Sequence, residues 1–263
     1  MYAGFNLTLS ESEKSALKSY VQSGETLFQK QEQKVRTTLD KYINADGSLN
    51  ATMIEEDWFR GIETNVFISH SHADESLVKA FAGYLHEQFG VESFIDSCVW
   101  GYANELLKMI DDKYCKTIIN KDGSRSYDYD KRNQSTSHVH MMLNGALAKM
   151  INSTECLIFM NTPNSIKAQD VEDKAKTASP WIYSELLMAT EFPHQELSCY
   201  RYSGEQGLYE FAEEASFEYD VKVDELVELT FADLKKISEC KYGKNPLRYL
   251  DELYFNKRML AHK

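Results

Sequence analysis

Glu185 and Trp181 are four residues apart in the stretch Ser179 to Leu187, SPWIYSELL. On a helix that spacing puts them on one face, a turn from each other. A carboxylate there can stabilise a developing ribosyl cation or hold ribose hydroxyls. An indole beside it can stack on a flat heterocycle, worth about 0.5–1.5 kcal/mol beyond its buried area. The same spacing also serves a packed tryptophan and a solvated glutamate. A second polar constellation, Ser69, His70, Ser71, His72 and Asp74, follows the apolar run Val66, Phe67 and Ile68. It reads either as locally hydrogen-bonded turn residues or as a hydrolase-type relay, but no G-x-S-x-G elbow accompanies it. The close pairs His70/His72 and His138/His140 have no cysteine or acidic partner at metal-ligand spacing, so no metal site is expected. Asp96 is placed to cap the segment after its strand, and Trp100 and Tyr102 read as partly buried loop aromatics.

Positioning these groups requires strands that end in polar turns. Asn65 to Ser69 is a short buried strand, and Leu77, Val78, Phe81, Leu85 and Phe89 then recur at helical spacing. Asp74 suits the N-cap of that helix and Gly90 its C-terminal stop. Val91 to Asp96 is a second strand, followed by a loop with Trp100 and Gly101 and a helix running to Asp112. Residues 113–137 are polar without apolar period and are expected as a surface excursion or lid. Val139 to Met150 is a helix, and Cys156 to Met160 a third strand ending in the polar turn Asn161 to Ser165. Three strand–turn–helix units predict an α/β fold with a parallel, doubly wound sheet. Ligands bind such sheets at the carboxyl ends of the strands. Ser179 and Pro180 open the helix carrying Glu185. Leu197 to Tyr200 and Phe217 to Val221 are the candidate fourth and fifth strands. Thr230 to Asp233 is a capping box, and Asn245-Pro246 starts a last helix. Residues 1–60 are expected as an N-terminal helical extension, with Ser10 as a cap, and residues 61–263 as the α/β domain with C-terminal helices.

The formal net charge of −12 argues against extended contact with nucleic acid. It leaves room for one small anionic ligand held by backbone N–H groups. No apolar run reaches the roughly 18 residues of a membrane span, and the first residues do not read as a signal peptide. Five scattered cysteines read as reduced thiols in a cytoplasmic protein.

These segments together resemble the Toll/interleukin-1 receptor (TIR) domain family. VFISHSHAD is similar to its opening strand and turn, and VESFIDS with the following Trp100 and Gly101 to its second strand and BB loop. CLIFMNTPNS is similar to the third strand, and Trp181 to Leu186 to the W-x-x-x-E-L element. The likeness covers about Glu63 to Glu191. The chain departs from the pattern in the 113–137 insertion and in Ile182, where the family often has cysteine. The resemblance implies a flavodoxin-like three-layer domain with a mostly parallel five-stranded sheet. It further implies cleavage of the nicotinamide–ribose bond of NAD+, bound as substrate with no cofactor. Carried over, Glu185 is the catalytic glutamate, and Ser69, His70, Asp96, Trp100 and Trp181 bind substrate. TIR proteins of anti-phage systems such as Thoeris make a signalling nucleotide for a separate effector, and TIR enzymes often complete their site by self-association. Both become expectations here. Two other readings compete: a non-catalytic TIR scaffold, and a nucleoside deoxyribosyltransferase-like enzyme on a similar sheet.

Overall fold

The computed structural model describes residues 1–32, 39–58, 63–95, 97–115, 118–119, 125–167, 175–200, 219–220, 225–240, 242–243 and 245–259. In chain order the elements are β1 (Ala3–Leu7), α1 (Glu11–Leu17), α2 (Val21–Glu32), α3 (Ala51–Trp58), β2 (Val66–Ser69), α4 (Glu75–Phe89), β3 (Ser93–Ile95) and α5 (Ser97–Tyr114). There follow β4 (Ile118–Ile119), β5 (Arg125–Ser126), α6 (Tyr129–Ser153), β6 (Cys156–Met160), β7 (Lys176–Thr177), α7 (Pro180–Glu191), β8 (Tyr219–Asp220), β9 (Val227–Leu229), α8 (Phe231–Ser238) and α9 (Pro246–Asn256).

Five strands form one parallel sheet in the order β3-β2-β6-β1-β9, with helices on both faces. This is the expected flavodoxin-like three-layer α/β fold. Alternate strand residues feed the two cores. Phe67, Leu157 and Phe159 join residues of α3, α5, α6 and α7 on one face. Phe5, Val66, Ile68, Cys156 and Ile158 join residues of α1, α4, α8 and α9 on the other. Burial on both faces explains why VFIS and CLIFM read as continuous apolar runs.

The expected extension at residues 1–60 requires correction. Its first residues are β1, an inner strand paired along Ala3–Leu7 with β6 and along Phe5–Leu7 with β9. Ser10 does cap α1, with a capping box to Glu13. The helix α2 then crosses α4 at near backbone contact. A Cβ added at Gly24 would stand 1.7 Å from the Lys79 carbonyl oxygen, and one at Gly83 would stand 2.3 Å from that of Tyr20. Only glycine fits at such a crossing, so residue 60 is no domain boundary.

Other local expectations also change. Leu197–Tyr200 is a 3-10 turn, not a strand. Its two middle residues are exposed, which a strand of a covered parallel sheet cannot tolerate. Of Phe217 to Val221, only Tyr219 and Asp220 are described, and they pair antiparallel with Lys176 and Thr177 outside the main sheet. The loop expected around Trp100 is the first turn of α5, which starts at Ser97. The expected excursion at 113–137 holds a short antiparallel pair, β4 with β5, and α6 starts at Tyr129 with Asp128 as N-cap. The early turns of α6 hold because Ser135 donates to Asp111 on α5, a buried pair joined by the Cys115 thiol and by Arg132. Cys115, Cys156, Cys199 and Cys240 are free thiols. Among the described residues no helix is long and apolar enough to cross a membrane.

Candidate functional site

The strand β3 lies on one side of β2 and β6 on the other, so the chain reverses direction across the sheet at β2. In open α/β sheets the crevice at such a switch point, beyond the carboxyl ends of the strands, is where ligands bind. Ser69 is the last residue of β2, paired with Phe159 of β6, and is fully buried.

Above it sits α7. Ser179 accepts from the Ile182 backbone N–H as N-cap, and Pro180 fills the first helical position, as the sequence predicts. One turn in, Glu185 points inward and is also fully buried. The Ser69 hydroxyl donates a 2.6 Å hydrogen bond to its Oε2. A carboxylate is costly to bury without such partners. Its inward position therefore differs from the solvated face that the same helical spacing also allows. α7 is anchored to α6 by the Ser184 hydroxyl, which donates 2.7 Å to Asn144 Oδ1.

His70 follows Ser69 and is buried, with Nδ1 3.2 Å from the Ile68 carbonyl oxygen. A carbonyl only accepts, so this bond places a ring proton on Nδ1. His72 is exposed and faces Glu75 at 3.7 Å. Ser71 caps the 3-10 turn by accepting from the Ala73 N–H. The expected role of Asp74 is corrected in part. It stands at the N-cap of α4, but its side chain makes no capping bond. Its carboxylate instead accepts from the Thr162 hydroxyl at 2.5 Å and from Asn164 Nδ2 at 2.8 Å. The turn after β2 is thereby tied to the turn after β6, and no Ser-His-Asp relay forms among the described residues.

Trp181 is partly buried against the α7-side core. Its ring meets that of His140 on α6 edge-on, at 5.6 Å between centroids and 88° between planes. Asp96 and the Trp100 side chain lie outside the described residues. Among the described residues no group of His, Cys, Asp and Glu gathers in a metal-binding arrangement.

The structure therefore brings Ser69 and Glu185 into contact, leaves His70 next to Ser69 with its ring on the Ile68 carbonyl, and sets Trp181 one turn away on the Glu185 helix. Several neighbours were not foreseen as site residues: Asn6, His140, and the Thr162–Asn164 pair that holds Asp74. A faint signal existed for two of these. Asn6 is a polar residue inside an apolar strand, and Asn161 to Ser165 was legible as a polar turn.

Comparison with family models, with curated proteins and with solved structures finds no match to this chain.

Proposed function

We propose that the chain is a TIR-like NAD+ glycohydrolase or ADP-ribosyl cyclase, with Glu185 as the catalytic carboxylate. The supporting observation is the position of that residue, fully buried at the switch-point crevice and hydrogen-bonded to the last residue of β2. A glutamate serving only as a docking surface has no reason to be withdrawn from solvent and held by a serine.

The chemistry suits one carboxylate. In NAD+ the nicotinamide ring is a cationic pyridinium, so cleavage of the C–N bond returns both electrons to the ring and releases neutral nicotinamide. No general acid is required. The remaining ribosyl carbon gains oxocarbenium character, which a nearby anion stabilises. Ser69 fixes the carboxylate rotamer by its hydrogen bond. Attack by water, with loss of its proton, gives ADP-ribose, and attack by a nucleophilic atom within ADP-ribose gives a cyclic isomer. Asp96, Trp100, Trp181 and His70 are the further substrate contacts this reading assigns. With it come self-association, a cytoplasmic setting, and a separate effector that reads the product during phage infection, without nucleic-acid or membrane binding.

The test is mass-resolved chromatography of nucleotides after incubation with NAD+, beside Glu185→Gln. Nicotinamide release by the wild type and its loss in the variant support the enzyme. The companion peak identifies hydrolase or cyclase. If concentrated wild type leaves NAD+ intact, including in cells under phage challenge, the scaffold reading replaces this one.

A further inference from the structure

The row of residues at the carboxyl end of the sheet contains a second polar side chain facing α7. Phe159 pairs with Ser69 on one side and with Asn6 on the other. Register neighbours in a parallel sheet share a face, so Asn6 looks to the same side as Ser69. Gly4, two residues earlier on that face, lies under α7, where a Cβ would stand 3.8 Å from that of Ala189. Glu185 is one turn from Ala189 in the direction of the helix N-terminus. The Asn6 amide oxygen is buried and makes no hydrogen bond with the described residues. Buried polar atoms are satisfied in most folded proteins, and the exceptions call for an explanation.

We propose that Asn6 is a substrate-binding residue of the Glu185 site, its amide oxygen accepting a hydrogen bond from the carboxamide of the nicotinamide leaving group. This rests on the NAD+ reading above. Ser69 and Asn6 stand on strands flanking β6, so their backbones are about 10 Å apart at ordinary strand spacing. Adjacent ribose hydroxyls held by Glu185 do not reach across that gap. The next hydrogen-bond donor on the substrate, beyond the glycosidic bond, is the carboxamide N–H. A residue there recognises the base and leaves the bond-breaking step to Glu185.

The experiment compares wild type and Asn6→Ala on three dinucleotides. They are NAD+, nicotinic acid adenine dinucleotide (a carboxylate in place of the carboxamide) and nicotinamide hypoxanthine dinucleotide (no adenine amino group). Wild type prefers NAD+ over the nicotinic acid analogue. Asn6→Ala raises KM for NAD+ about tenfold, the effect of one lost hydrogen bond, with kcat within about twofold, and erases that preference. Its melting temperature stays the same or rises, because the amide oxygen has no partner to lose among the described residues. A variant that behaves like wild type, that loses all three substrates equally, or that loses only the preference against the hypoxanthine analogue overturns the assignment. So does a clear fall in melting temperature with unchanged substrate preference, which marks a structural residue. A wild type that neither binds nor cleaves NAD+ overturns the enzyme reading itself and takes this role of Asn6 with it.

Discussion

The Ser69 hydroxyl donates 2.6 Å to Glu185 Oε2, joining residues 116 positions apart in the chain. Because one partner ends a strand and the other sits on a helix, the carboxylate is positioned by the sheet and not by α7 alone. In a cycle of variants, Glu185→Gln lowers nicotinamide release by about a hundredfold or more. Ser69→Ala lowers it about tenfold to a hundredfold, the worth of a hydrogen bond to a charged acceptor. Serine acting through the glutamate makes the double variant no slower than Glu185→Gln. Fully additive losses, measured as kcat, would show that Ser69 acts independently.

Asp74 fastens the turn after β2 to the turn after β6. Asp74→Ala removes its bonds to Thr162 and Asn164. Equilibrium urea unfolding should show a loss of about 1–3 kcal/mol. If stability is untouched, the two turns are held together by contacts other than those of Asp74.

The glycine pair Gly24 and Gly83 sets how closely α2 approaches α4. Either glycine changed to alanine drives a methyl group into a backbone carbonyl. Backbone cannot yield as a side-chain tip does, so each variant is expected to lose at least the 1–3 kcal/mol or so typical of overpacking, seen as a lowered melting temperature. Deletion of residues 1–60 is expected to abolish folding, since it removes β1 from between β6 and β9. A soluble, cooperatively melting 61–263 fragment would refute this.

Tyr84 makes the fold sensitive to alkali. Burial, with Tyr20 nearby adding to the effect, pushes its hydroxyl from 10 up to about 12. The folded state holds that proton more tightly than the unfolded chain does. The associated stability is therefore fully present below pH 10 and is lost as pH climbs toward 12. The ring packs edge-on against Tyr20 and Phe89, and its buried hydroxyl makes no hydrogen bond with the described residues. Tyr84→Phe keeps the ring contacts. It should be as stable as wild type or more so at pH 7, and should lose less stability between pH 10 and 12 in denaturant titrations. An identical alkaline profile would assign the sensitivity to other buried tyrosines, such as Tyr254.

Much of the fold was legible locally. VFIS and CLIFM announced themselves as buried strands through uninterrupted apolar side chains. Gly90 was recognisable as the stop of α4 and adopts a φ of +70°. Ser179-Pro180, Thr230 to Asp233 and Asn245-Pro246 marked three helix starts through capping chemistry that needs only a few adjacent residues. These features depend on neighbours in the chain, and a chain displays its neighbours.

What lay hidden depends on partners far away in sequence. Ala3–Leu7 is short and carries glycine and asparagine, both poor strand formers. It is a strand because Cys156 to Met160 and Val227 to Leu229 offer their edges to it. The sequence could put Glu185 on a helix with Trp181, but not decide whether it faced solvent or core. The packing of α7 over Ser69 decided that, and the meeting of the turns after β2 and β6 drew Asp74 away from its own helix toward Thr162 and Asn164. Local propensity thus determined which segments are helices and strands at the centre of the chain. Long-range parallel pairing, invisible to any local pattern, determined which of them meet and so which polar side chains gather at the carboxyl end of the sheet.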